Sequence, residues 1–435
     1  MRPPIYRPSD EEAADLHRLL DGRFHHLTPK HQTSRQVLGR RSTIGCVALE
    51  VTQRCNLDCT LCYLSDYSES VPDPPLEELK AKADNIKRLF GVQTNVQITG
   101  GDPTLRKREE LVEIVRYVAA IGLNPALFTN GIKATRDLLA ELRSVGLVDV
   151  AFHVDLTQER KGYTSEVQMN EIREDYLERC KGLGLATIFN TTVCDQNLDE
   201  IPELVKFFVA HAGDSGLGMC SFQMQADTGR GIIHKRGEAL TRRGMQRIID
   251  DAIGTRLSWE NVLIGHPECH NIAYSLVVGA REVIDLFDDP RVIEKFLADF
   301  GTVVLDRSDV PRSALSVARH ILLSKPEWIP FGAPWTARLA GRILRGMART
   351  RSTKVGKLSF FMQNFQDADN LDEERIHNCS FMVATRDGAI SMCEHNARRD
   401  DYIIPANLVR GVNIKPSRPP IAAVPRDAQH RPLKH

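Results

Sequence analysis

The chain has 435 residues, and its 57 Lys plus Arg balance 57 Asp plus Glu, so the formal net charge is zero. That balance excludes recognition of a polyanion through overall charge, and the length leaves room for a barrel-sized domain plus an addition. No N-terminal stretch pairs a charged start with an apolar run, and no window reaches about 18 uninterrupted apolar residues. A cytoplasmic chain with reduced thiols is therefore expected, and its ten cysteines read as metal or redox sites before disulfides.

Residues 1–43 read as a short, polar, helical segment. The strand-like run "CVALEVT" leads into "VTQRCNLDCTLCYL" (51–64), which places Cys55, Cys59 and Cys62 in the spacing C-x3-C-x2-C, with Tyr63 directly after. Thiolate sulfur suits zinc and iron–sulfur clusters. A closed structural zinc site wants four ligands, and no further His or Cys lies close enough to complete a knuckle here. A [4Fe–4S] cluster usually takes four cysteines, so three leave one iron open to a ligand that is not protein. A structural zinc loop stays as the bland alternative. Downstream, "PLEELKAKADNIKRLFG" (75–91) repeats apolar residues at helical spacing. "NVQITGGDPTL" (95–105) is a strand ending in Gly100-Gly101-Asp102-Pro103, and "REELVEIVRYVAAIG" (108–122) is an amphipathic helix. "NPALFTNGI" ends a strand at Thr129-Asn130-Gly131. "LVDVAFHVDL" (147–156), "LATIFNTTVC" (185–194) and "MCSFQMQ" (219–225) are further strands, with helices between them. Strand and helix alternate over about residues 44–235, which argues for parallel β structure with crossover helices.

The C-x3-C-x2-C loop with its following aromatic residue resembles the radical S-adenosylmethionine (SAM) superfamily, and the likeness extends over 44–235. It implies an α/β partial (β/α)6 TIM-like barrel. It implies that Cys55, Cys59 and Cys62 hold a [4Fe–4S] cluster whose open iron binds SAM. One electron then cleaves SAM to a 5′-deoxyadenosyl radical, which abstracts hydrogen from a substrate. Active residues of such barrels lie at strand C-termini. Gly100, Gly101 and Asp102 look like the family's glycine pair plus acid, Asp being shorter than the family's frequent Glu. Asn130, Asp155 and Asn190 complete the expected cofactor contacts, and each has an ordinary strand-end reading beside it. The resemblance also implies a reductase such as flavodoxin or ferredoxin as electron donor.

An α+β extension is expected over 236–413, followed by a Pro-rich mobile tail over 414–435. "FMVATRDGAISM" reads as a hairpin around Asp387-Gly388, bringing Cys379 and Cys393 together. With Cys269 they resemble an auxiliary-cluster extension, with His266, His270 or His395 as further candidate ligands. Ordinary buried thiols are the alternative. Cys46, Cys180, Cys194 and Cys220 read as core. Between Arg312 and Lys357 stand ten Lys or Arg and one acid, Glu327. A helix over 334–349 sets Trp335, Leu339, Ile343 and Met347 beside an arginine stripe, as membrane-interface helices do. Packing and phosphate contacts are the alternatives. The C-terminal half further resembles the tetraether lipid synthase branch on "FQMQADTGRG", "HPEC", "FFMQNFQDADNLDEERIHNC" and "SMCEHN". These features point to a lipid-like substrate and peripheral contact with a membrane, with no nucleic acid expected. A peptide-modifying maturase is the first competitor. A non-catalytic iron–sulfur or nucleic-acid-binding protein is the second.

Overall fold

Alternation of outward apolar and inward polar residues along successive strands decides the architecture. In a computed structural model describing residues 6, 8–231, 240–301, 303 and 310–404, six strands follow one another in space as they do in sequence. They are β1 (Cys46–Thr52), β2 (Asn95–Gly100), β3 (Asn124–Thr129), β4 (Asp149–His153), β5 (Ala186–Val193) and β6 (Leu217–Met224), each parallel to the next. Helix α1 (Asp10–His26) precedes them. The crossovers are α2 (Leu76–Phe90), α3 (Arg108–Ala120), α4 (Arg136–Ser144), α5 (Asn170–Cys180) and α6 (Ile201–Ala210). Val47, Leu49, Val51, Ile98, Leu127, Phe152 and Phe189 share the helix-packed core. Their neighbours Glu50, Gln97, Thr99, Phe128, His153, Asn190 and Gln223 turn inward to a cavity. The fold class is α/β, with the six parallel strands and crossover helices of a partial (β/α)6 barrel.

The second half adds α7 (Arg242–Ile253), β7 (His270–Val278), β8 (Glu282–Asp285), α8 (Pro290–Phe300), α9 (Val310–Ser324) and α10 (Trp328–Thr350). β9 (Val355–Asn364), α11 (Glu373–His377), β10 (Phe381–Ala384), β11 (Ala389–Ser391), α12 (Met392–Ala397) and α13 (Arg399–Ile403) follow. Its strands lengthen the first sheet at both edges. β9 pairs parallel with β6, and β10 pairs parallel with β1, giving the order β11-β10-β1-β2-β3-β4-β5-β6-β9-β7-β8. The hairpin read around Asp387-Gly388 is β10–β11, with Ala384 opposite Ala389. Cys46, Cys180, Cys194 and Cys220 are buried. Residues 414–435 lie outside the described residues.

Helix α10 departs from the reading of 334–349. It starts six residues earlier because Trp328 is buried, edge-on to Phe300 at 5.1 Å, and donates its indole N–H to Asp299 at 2.8 Å. Its arginines are not a free stripe either. Arg338 meets Asp289 at 3.4 Å, Arg342 meets Asp288 at 2.8 Å and Arg349 meets Glu282 at 3.0 Å. These ion pairs turn the arginines toward the protein. Trp335, Leu339, Ile343 and Met347 are half-buried.

The loop after β4 is fixed from beneath by Arg173, fully buried and ion-paired with buried Glu166. Arg173 also donates to the Val154 carbonyl at 2.8 Å, the Glu166 carbonyl at 3.0 Å and Asn170 at 2.7 Å. Glu166 accepts from Leu156 N–H and from Asn197. Removing one member strands the other as a buried charge. Arg173→Met should therefore cost about 3–5 kcal/mol in denaturant melts. Lys206→Met, which breaks an exposed pair with Glu203, should cost about 1 kcal/mol or less.

Candidate active site

The segment carrying the three cysteines has almost no regular structure of its own, so its shape comes from its neighbours. The end of β2 lies against its start. Gly101 N–H donates to Thr52 O at 2.9 Å, and Asp102 N–H donates to Arg54 O at 2.8 Å. A Cβ on Gly101 would sit 2.0 Å from Arg54 O, so the glycine pair is first a requirement of this backbone approach. Farther along, Thr60 N–H donates to Thr157 O at 2.8 Å. The 225–231 segment closes the far side. Gly231 N–H donates to Cys62 O, and Arg230 N–H donates to Leu64 O, both at 2.9 Å. A Cβ on Gly231 would meet Cys62 N at 2.0 Å. The Arg230 guanidinium lies beside Cys62 and 3.2 Å from Asp58.

Cys55, Cys59 and Cys62 all line one cavity of about 200 Å³, with Gly100, Gly101, Asn130 and Asn190. Burial pushes the thiols of Cys55 and Cys59 up, and neighbouring carboxylates and thiols add to the shift. Asn130 donates to Asn56 at 2.7 Å, and the same nitrogen stands 3.9 Å from Cys55 Sγ. Asn190 is buried, and its Oδ1 has no hydrogen-bond partner. Asp102 and Asp155 stand differently. Both are fully buried and neither is among the residues that line the cavity. Asp102 accepts from Thr104 N–H, Thr104 Oγ1, Thr129 Oγ1 and Asn130 N–H. Asp155 accepts from Thr157 N–H, Thr157 Oγ1 and Thr192 N–H, and pairs with His153. Burial would raise Asp155, but His153 and these donors outweigh it and hold it low.

Sequence reasoning missed the floor of the cavity. Glu50 forms a two-pronged pair with Arg399, at 2.8 and 3.0 Å, and Gln53 bonds to both. The Arg399 guanidinium lies 4.6 Å from the centre of the Tyr63 ring. Burial would raise Glu50, but Arg399 and His395 hold it down at about 2. Gln97, Gln223, Gln363 and Asn396 also line the cavity. One signal was available: a glutamate inside the otherwise apolar strand "CVALEVT".

The late cysteines converge. Burial pushes Cys393 up to about 12, with Cys379 and Cys269 adding to it. Arg375 Nε donates to Cys269 Sγ at 3.3 Å, and Gln366 N–H donates to Cys393 Sγ at 3.5 Å. Phe381 and Met392, close in sequence to Cys379 and Cys393, line the cavity. The three candidate histidine ligands separate. His270 stacks on Phe381 at 4.3 Å, and His395 stacks on Tyr402 at 5.3 Å. His266 stands with His31 and Glu374 in a group of metal-ligand type. Those atoms are already engaged: Glu374 by Lys30 at 2.8 Å and by His31 at 2.9 Å, and His266 Nδ1 by Glu268 N–H.

Residues 49–208 match the family model described as "Radical SAM superfamily". The chain carries a radical SAM domain. It is 28% identical over 408 residues to a 7,8-dihydro-6-hydroxymethylpterin dimethyltransferase of Methanocaldococcus jannaschii, covering 84% of this chain and 76% of the relative. It is 28% identical to a PqqA peptide cyclase of Bradyrhizobium diazoefficiens, covering 38% of this chain and 43% of that one. The chain thus spans less than half the length of the peptide cyclase. Streptococcus suis SuiB, solved with its precursor peptide, aligns at 19% identity and a TM-score of 0.35 over 48% of this chain and 47% of SuiB. A radical SAM domain makes the chain an enzyme using a [4Fe–4S] cluster and SAM, and the non-catalytic reading is set aside. The cavity fits these cofactors. Three thiols face it beside a cation, and buried Asn190 offers it an unused acceptor.

The Gly231 contact can be tested directly. Gly231→Ala should lower iron and acid-labile sulfide per chain after anaerobic reconstitution, because the new methyl displaces the Cys62 backbone. Gly22→Ala, whose Cβ meets nothing within 4 Å, should load as the wild type does.

Proposed function

We propose that Cys55, Cys59 and Cys62 hold the catalytic cluster, and that Gly100, Gly101, Asn130 and Asn190 contact SAM. Asp102 and Asp155 act as positioning residues that hold those contacts in place. When bound, cluster and SAM supply a 5′-deoxyadenosyl radical that removes a hydrogen atom from substrate. The substrate is a polar heterocycle with donors and acceptors along its edge. The lining by Gln97, Gln223, Gln363, Asn396 and the Glu50–Arg399 pair carries this reading. Amides offer donors and acceptors together, and the ion pair presents both charges. Glu50 and Arg399 pair with each other and Gln363 donates to Ser221, so these groups are held in place, while Leu57, Leu61, Phe128, Phe365 and Phe381 line the same cavity for the faces of a ring. A reduced pterin has the required edge, and it is what the Methanocaldococcus jannaschii relative is named for. The same lining suits a peptide backbone, so peptide modification remains the competitor to be tested. An external reductase such as flavodoxin or ferredoxin supplies the electron.

Cys59→Ala should abolish 5′-deoxyadenosine formation by dithionite-reduced protein. With a deuterated reduced pterin, wild type should place deuterium in 5′-deoxyadenosine, read by mass spectrometry. Gln97→Leu with Gln363→Leu should keep SAM cleavage and lose about tenfold or more of that transfer. Cleavage without transfer from any pterin, alongside transfer from a peptide, would hand the site to the competitor.

We also propose that Cys269, Cys379 and Cys393 hold a second [4Fe–4S] cluster beside Arg375. A variant lacking Cys55, Cys59 and Cys62 should then retain about four irons per chain. Loss of all iron from that variant would return the late cysteines to ordinary buried thiols.

A further inference from the structure

Among the described residues, none of helices α9 and α10 lines the cavity. Helix α10 packs on β7 and β8, with Gly346 against Val278, and its ion pairs with Asp288, Asp289 and Glu282 fix which side faces inward. The opposite side is apolar and uncovered by any of the described residues. Ala333, Ala337, Ala340, Leu344 and Ala348 are all exposed and recur at intervals of three and four residues. They form a single stripe along the helix. Ile329, on the flank of the stripe near the start of the helix, is 54% exposed. Helix α9 adds Leu315, Leu322 and Leu323 at 69%, 67% and 71% exposure, against 65% for Leu344. So many large apolar side chains on one outer surface mark a binding face.

Charge selects the occupant. Arg319, Arg345 and Arg351 are exposed on the same two helices and their end. The single acid between Arg312 and Lys357 is Glu327. A second copy of the chain would set this cationic rim against itself. An anionic surface with an apolar interior meets both the rim and the stripe. Among the described residues no helix is long and apolar enough to cross a membrane. We infer that the outer face of α9 and α10 docks on an anionic lipid bilayer, lying in its interface. The contacting residues are Leu322, Leu323, Ile329 and Leu344. The half-buried Trp335 and Leu339 face the protein side of the helix, and the half-buried Ile343 and Met347 flank the stripe.

The test is co-sedimentation of the full reconstituted chain with phosphatidylcholine vesicles, with and without phosphatidylglycerol. Binding should require the anionic lipid and weaken as salt rises. Leu322→Glu with Leu323→Glu and Leu344→Glu should reduce it about tenfold or more, since each carboxylate opposes both burial and surface charge. Arg319→Glu with Arg345→Glu should weaken it and flatten its salt dependence. All five positions are exposed, so iron content and 5′-deoxyadenosine formation should match wild type in both variants. Absent sedimentation, or equal binding by the triple variant, overturns the inference. So does a concentration-dependent dimer in light scattering that the triple variant abolishes while vesicles bind nothing. That result would assign the face to a second copy.

Discussion

Two Asp-x-Thr turns hold the cysteine loop, and the site depends on them. Asp102 and Asp155 end β2 and β4, and each closes a tight turn by accepting from the backbone and hydroxyl of a threonine two residues on. Each also reaches the next strand, at Asn130 N–H on β3 and Thr192 N–H on β5. The turns then grip the loop from two sides, through Arg54 O ahead of Cys55 and Thr60 N–H between Cys59 and Cys62. Ordering irregular backbone costs about 1–2 kcal/mol per residue, so a loop presenting three thiols at fixed positions needs such outside anchors. The shortness of Asp102 follows from this job. Its oxygens are used up within the fold, and what they position is Asn130, whose side chain bonds back into the cysteine loop.

Much of this was legible in the sequence because it is local. The C-x3-C-x2-C spacing, the six-strand alternation and the hairpin around Asp387-Gly388 each depend on residues close together in the chain. The floor of the cavity was hidden for the opposite reason. Glu50 and Arg399 are 349 residues apart, and no periodicity joins them. The glutamate in a buried strand was a visible anomaly, but its partner belongs to a five-residue helix with no pattern of its own. Gly231 is similar, since its need for a missing Cβ arises from Cys62, 169 positions earlier. The α10 stripe was misread because a helical wheel shows which residues share a face and is silent about which face meets the protein. Asp288, Asp289 and Glu282 decide that, and they come from elsewhere in the chain.

The cavity has two authors. The first half supplies the thiols, the glycines and the asparagines at strand ends. The second half adds to it, because β9 and β10 extend the same sheet and bring Gln363, Phe381 and Val383 to the inner wall. Helices α12 and α13 then add Met392, Asn396 and Arg399, the last laid over Tyr63 and paired with Glu50. The two halves meet at this one stack, where the residue next to Cys62 carries a cation from the far end of the chain.

That division explains where substrate choice resides. The superfamily match ends at residue 208, before β6, β9, β10, α12 and α13. Gln223, Gln363, Asn396 and Arg399 all lie beyond it. Relatives named for a pterin dimethylation and a peptide cyclisation share the matched kind of domain. The proposed function assigns reading of the substrate to residues like these four. In this chain they are two glutamines, an asparagine and an arginine held by a buried glutamate. In the proposed function they give the polar edge of a ligand its partners, beside the apolar Phe128, Phe365 and Phe381 of the same cavity. The apolar surface of α9 and α10 obeys the same physics on the outside of the molecule, where none of the described residues covers it. The proposed affinity for lipid there and the proposed polar substrate within are compatible, because among the described residues none that lines the cavity comes from those helices.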